Sequence, residues 1–151
     1  MAPRLRRLVA MPSWSIKFRI DATSPRAWEV VRDAFTDGDD DEAVVAVWNF
    51  PFNGDDDDTQ GNASLIDAFF RTARSSLCVR SCRFEIHLAL CNHQFARWKV
   101  NEAAADSFFY LVDSFDFDFE HYPYRPVRNG SETGAESSGF ELEQPVVYVF
   151  C

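Results

Sequence analysis

No apolar run in this 151-residue chain approaches the ~18 residues that a membrane-spanning helix needs. Leu5, Leu8, Val9 and Ala10 are interrupted by arginines and fall short of a secretory h-region. Four cysteines in a chain of this size do not make a disulfide scaffold, and without a secretion signal they read as reduced thiols. An intracellular, cytoplasmic setting is expected, and the sequons Asn62-Ala63-Ser64 and Asn129-Gly130-Ser131 are idle matches there. A nucleophile elbow, a P-loop, a dinucleotide fingerprint and an H-E-x-x-H pair are all absent.

Positive charge is scarce as well. Lys and Arg number 15 against 24 Asp and Glu, for a net charge of −9. Phosphate-tracking binding needs a basic footprint, so no nucleic-acid partner is expected. Only residues 1–20 run the other way, with Arg4, Arg6, Arg7, Lys17 and Arg19 and no acid. Residues 1–12 therefore read as a disordered basic arm.

What the chain does hold is phenylalanine, 15 of them in a composition 46% hydrophobic. That supports one folded domain, a chain of this length burying roughly 70% of its unfolded surface. Trp14, Ile16, Phe18 and Ile20 alternate with polar residues as a first strand. Ser24-Pro25 starts a helix carrying Ala27, Trp28, Val31, Ala34 and Phe35 on one face. Ala43 to Phe50 is a near-continuous apolar run, the pattern of a strand buried on both faces in mid-sheet. A second helix is expected over 63–75 and a third from Glu102 to about Ser114, the latter burying Ala105, Phe108, Phe109 and Val112. Phe115, Phe117 and Phe119 alternate with Asp116, Asp118 and Glu120 as a strand with one acidic face.

The stretch Cys78 to Val100 reads as a β-hairpin. Phe84, Ile86, Leu88 and Leu90 share a face, and a loop at Asn92-His93-Gln94 would pair Leu88 with Trp98 and His87 with Lys99. Residues 127–139 are a polar linker. After it, Pro145 opens a strand, Val146 to Phe150, predicted at a sheet edge because proline is tolerated there, and pairing within its own sheet or with a second chain. The fold class is α+β: a mixed or antiparallel sheet of five to six strands with three helices mainly on one face. Its limits are residues 13–126, with 140–151 as the returning strand.

For chemistry, Cys78, Cys82, His87, Cys91 and His93 match no zinc spacing. On one strand His87 and Cys91 would stand roughly 13 Å apart, so no metal is expected, and no cofactor. The acidic runs Asp37–Glu42 and Asp55–Asp58 fit no EF-hand. Candidate acid–base residues are His87, His121 and Glu85; candidate interaction residues are Trp98, Tyr122, Tyr124, Asp116, Asp118 and Glu120. The leading expectation is a small non-enzymatic protein-interaction or regulatory module, dimeric or bound to a larger protein. Two rival readings are an acidic nucleic-acid mimic that inhibits a basic partner, and a hydrolase or transferase using histidine acid–base chemistry.

Overall fold

The computed structural model describes residues 21–34, 44–55, 57–77, 84–120 and 143–151. The basic arm, the strand expected over 14–20, the acidic run Asp37–Glu42 and the linker 127–139 lie outside the described residues. Within them the chain is α+β, with one mixed four-stranded sheet and four helices. The sheet holds β1 (Val44–Asn49), β2 (Phe84–Cys91), β3 (Leu111–Asp116) and β4 (Pro145–Phe150), in the order β1-β2-β4-β3. The helices are α1 (Pro25–Ala34), α2 (Thr59–Leu77), α3 (Asn92–Arg97) and α4 (Val100–Asp106).

β1 and β2 are parallel, Val44 opposite Phe84 through Asn49 opposite Ala89. Parallel neighbours need a long crossover, and α2 supplies it. β4 runs antiparallel to both β2 and β3. Alternation along β2 divides the side chains between two faces. Ile86, Leu88 and Leu90, all fully buried, join Ile66, Phe69 and Phe70 of α2 and Trp98, Val100 and Ala104 in the main core. Ala89 faces the other way, with Phe117, Val147 and the half-buried Phe50 and Phe115.

Aromatic rings knit the helical side. Trp28 donates its indole N–H to the Ala22 carbonyl at 2.8 Å, which orients the ring 5.3 Å from Phe69. Phe69 stacks on Trp48 at 4.2 Å, and Phe70 meets Phe150 edge-on at 5.0 Å. Such pairs add ~0.5–1.5 kcal/mol each beyond the area they bury.

Several expectations are corrected here. The hairpin does not form. Residues 92–97 are helical, Leu88 lies opposite Trp48 and Tyr148, and His87 lies opposite Val47 and Val149 instead of Lys99. The apolar β2 takes a partner on each side, and Gln94 starts the helix by accepting the Cys91 amide on its side-chain oxygen at 3.0 Å. β1 is not central: among the described residues it ends the sheet, and Val47 is 57% exposed. β4 is not an edge strand but sits between β2 and β3. Pro145 occupies its first position, where a missing N–H does least harm. The third helix stops at Asp106, Phe108 turns out with φ 62° and 65% exposure, and β3 begins at Leu111. Val112, expected inside, is 56% exposed.

Candidate active site

Because β1 and β2 are parallel, their C-terminal ends share one edge of the sheet. β4 is antiparallel to β2, so its first residue arrives at that same edge, with Pro145 opposite Cys91. Ligands of open α/β sheets bind outside the carboxyl ends of the strands. Two backbone strains mark the place. Phe50, just after β1, has φ 52°, and Gln144, just before β4, has φ 44°. Holding a side-chain-bearing residue there costs of order 1–3 kcal/mol, and such outliers gather at functional sites.

The loop after β1 is tied down residue by residue. The Phe50 amide donates to the Ala89 carbonyl at 2.8 Å, which prolongs the β1–β2 ladder by one step. Pro51 turns inward and Phe52 outward, 41% exposed. Asp58 stands just before α2 and accepts the Gly61 amide at 2.7 Å, an N-cap bond. Its second oxygen accepts from the Asn53 side chain at 2.9 Å. Asn62, fully buried, holds the rest. Its oxygen accepts the Asn53 amide at 3.1 Å, and its NH2 donates to the carbonyls of Asp55 at 2.9 Å and Asp58 at 3.0 Å. The sequon at Asn62 is thus structural, with its amide sealed from any glycan.

Beside this loop, the junctions β2–α3 and 143–145 enclose an open cleft of about 430 Å³ lined by Asn92, His93, Glu143 and Gln144. The Asn92 amide donates to the Gln144 carbonyl at 3.1 Å, closing one wall. Tyr148 donates its hydroxyl to the Asn92 side-chain oxygen at 3.2 Å, and its ring stacks on Phe95 at 4.1 Å. Burial pushes the Tyr148 phenol up from its ordinary value, so it remains a donor through neutral pH. Phe117, just past β3, donates its amide to the Pro145 carbonyl at 2.9 Å. Its ring meets Phe50 at 5.1 Å and Phe119 at 5.0 Å, and Phe119 is 44% exposed. Two exposed aromatic rings, a polar cleft and a pinned loop therefore meet at one edge.

Only part of this set was named from the sequence. His87 and Glu85 do meet, Nε2 to Oε2 at 3.2 Å, but on the sheet face away from the helices and four strand positions short of the edge. Trp98 is 2% exposed and belongs to the core, away from any interaction surface; its indole N–H has no hydrogen-bond partner among the described residues. Asp116, Asp118 and Glu120 are exposed around the end of β3. His121, Tyr122 and Tyr124 lie outside the described residues. Asn92, Gln144, Tyr148 and Phe52 were missed as site residues. The signal available for Phe52 was its place directly after an apolar strand, in the run Asn-Phe-Pro-Phe-Asn.

Over residues 3–128 the chain matches the family model described as "BMT5-like: rRNA (uridine-N3-)-methyltransferase BTM5-like". Among curated proteins and among solved structures nothing matches. A match of that extent overturns three expectations. The family is one of enzymes, against the non-enzymatic interaction or regulatory module and its acidic-regulator character. It acts on ribosomal RNA, against the absence of a nucleic-acid partner. Net charge misled because it sums the whole chain. The stretch Asn92 to Asn101 beside the cleft carries Arg97 and Lys99 and no acid. A family acting on ribosomal RNA is an intracellular one, and no described helix is long and apolar enough to cross a membrane. Methyl transfer also draws on an adenosyl sulfonium donor, which calls for an apolar slot around a purine and a free carboxylate for ribose hydroxyls. This cleft does not fit it: none of its lining residues, Asn92, His93, Glu143 and Gln144, carries an apolar side chain to enclose a purine.

Proposed function

This chain belongs to the BMT5-like family of rRNA (uridine-N3-)-methyltransferases, and from that premise we propose that it presents a uridine of ribosomal RNA for methylation at N3. The target base is received at the edge formed by the C-terminal ends of β1 and β2. The observation that carries this reading is the coincidence of the strained Phe50 and Gln144 with a polar cleft at that edge. A base inside a structured RNA has to be turned out before its N3 is reachable, and enzymes that do so stack it on aromatic rings. Phe52 and Phe119 are exposed aromatic rings on the loops that border this edge. Arg97 and Lys99 supply local positive charge toward the phosphates.

The test is direct. The full chain is incubated with ribosomal RNA fragments and isotopically labelled S-adenosylmethionine, and the digested nucleosides are analysed by mass spectrometry. Labelled 3-methyluridine is the expected product, and Phe52→Ala should lower its yield about tenfold if one stacking contact is lost. RNA that gains no 3-methyluridine while the folded chain is present overturns the proposal. Within the cell the cytoplasm is kept as the compartment, which fractionation of the tagged chain checks.

A further inference from the structure

We propose that Phe108, Tyr110 and Arg74 form a second RNA contact, on which an unpaired nucleotide flanking the target base stacks. The assignment rests on the functional reading above for its ligand, ribosomal RNA. It adds a surface at the end of the sheet opposite the cleft.

α4 closes in a way that calls for glycine. The Phe109 amide donates to the Ala104 carbonyl at 2.9 Å, and the Phe108 amide to the Ala105 carbonyl at 2.9 Å. That pair of bonds ends a helix with a left-handed residue just past its cap, where glycine is the usual choice. The cap is Ser107, and the residue after it is phenylalanine at φ 62°. Phe109 turns into the core with Ala104, so the turn is anchored without the Phe108 ring. That ring is 65% exposed. A bulky side chain in this conformation is strained, and holding it in water adds a second cost. Closing the helix asks for glycine; binding asks for a ring.

The surroundings of the ring indicate the ligand. Arg74, exposed in the last turn of α2, holds its guanidinium over the Phe108 ring, 5.4 Å from the centroid. Tyr110, 60% exposed, follows two residues later. Its backbone is fixed by Cys151, each amide donating to the other's carbonyl at 2.9 and 3.1 Å. Aromatic rings beside an arginine hold unpaired bases, the rings taking the base and the cation the phosphate. Asp106 and Asp113 are exposed nearby in the sequence, so this is no basic track, and stacking carries the contact. Leu111 pairs with Phe150, at the far end of β4 from Pro145 and the cleft, roughly 17 Å along the strand. A nucleotide held here is therefore a neighbour of the target in the RNA.

Fluorescence anisotropy of the full chain with labelled oligouridine tests this, the same strand annealed to oligoadenosine serving as control. The wild type should favour the single strand, whose bases are free to stack. Phe108→Gly should weaken single-strand binding about tenfold. It should also hold or raise the melting temperature, because glycine suits the left-handed position. Phe108→Trp should keep wild-type binding, and Arg74→Gln should weaken it and reduce the salt slope by about one. Weaker binding by a chain of undiminished stability is an effect that a purely structural role for Phe108 would not produce. A folded Phe108→Gly variant that binds as the wild type does overturns this contact and leaves the 3-methyluridine reading standing. A wild type that forms no 3-methyluridine, but whose RNA affinity falls with Phe108→Gly, supports this contact and overturns the earlier reading alone. A wild-type dimer in light scattering that Phe108→Gly dissociates, with RNA affinity unchanged, assigns the patch to a second copy and overturns the contact.

Discussion

Replacing Asn62 separates a loop held by one buried amide from a loop that merely lies there. Asn62 is fully buried in the first turns of α2, and its side chain makes three hydrogen bonds to the backbone of residues 53, 55 and 58. A buried hydrogen bond is worth about 1 kcal/mol net. Asn53, Asp55 and Asp58 are exposed, so water recovers part of that loss once alanine replaces the amide. Asn62→Ala should therefore cost about 2 kcal/mol, or roughly 4–8 °C in melting temperature for a chain of this size. Asn62→Asp is the sharper test, because it keeps the oxygen that accepts from Asn53. It also sets a second oxygen where the NH2 had been, facing two carbonyls. Proximity to the start of a helix returns only ~0.3–1 kcal/mol to the new charge. Burial without a partner costs it more. The order of stability should be Asn, then Ala, then Asp, read by thermal melting near neutral pH. An aspartate variant as stable as the alanine variant, or both within about 0.5 kcal/mol of wild type, would refute the reasoning.

Gly61→Ala should cost about 1 kcal/mol by disturbing the cap: a methyl there collides with the Asp58 carboxylate and comes 2.5 Å from the Asn53 amide nitrogen. Tyr148 predicts loss of stability in alkali. Its folded pKa is raised by burial above the ordinary 10.0, so the native state holds the proton longer than the unfolded chain does, and stability falls as pH rises past that value. Tyr148→Phe should flatten this part of the pH–stability curve, which denaturant titration at pH 8 and above measures. Ending the chain at Gln144 removes the strand between β2 and β3, and the product should aggregate or show no cooperative melting.

Local sequence patterns located the helices that have a clear start and a clear face. Ser24-Pro25 opens α1 where expected, and the stripe of Ile66, Phe69, Phe70 and Ala73 faces the core from α2. β2 was found from its alternation, but its neighbours were not. Alternation says which residues share a face and nothing about which strand lies alongside. A hairpin between adjacent segments is the cheapest guess in loop entropy. It fails because Cys91 to Gln94 forms a helix start closed through the Gln94 side chain, a short signal lost among apolar residues. Val44 to Asn49 looked doubly buried because its residues are apolar on both sides. Val47 shows that an apolar pattern does not by itself establish what covers it.

The site was less legible than the fold, for a reason of distance along the chain. His87 and Glu85 stood out because they are titratable and two residues apart, and they do meet, but they meet in the middle of a strand. Asn92 and Gln144 are uncharged and ordinary in isolation. The polar linker lies between them, and no periodicity joins them. What brings them together is one step of register, Cys91 opposite Pro145, in a strand pair that the hairpin reading did not name. The charge argument failed by the same route. A sum of −9 over the chain weighs Asp37–Glu42 equally with residues beside the cleft, whereas screening confines each charge to about 10 Å at ordinary salt. The charges at that edge are mixed. Glu143 lines the cleft, and Asp116, Asp118 and Glu120 are exposed around the end of β3. Arg97 ends α3 and Lys99 follows it, with no acid before Glu102, and Arg97 donates to Thr59 beside Asp58 at 3.0 Å. Net charge carries no information about which polar groups the strand register brings to one edge.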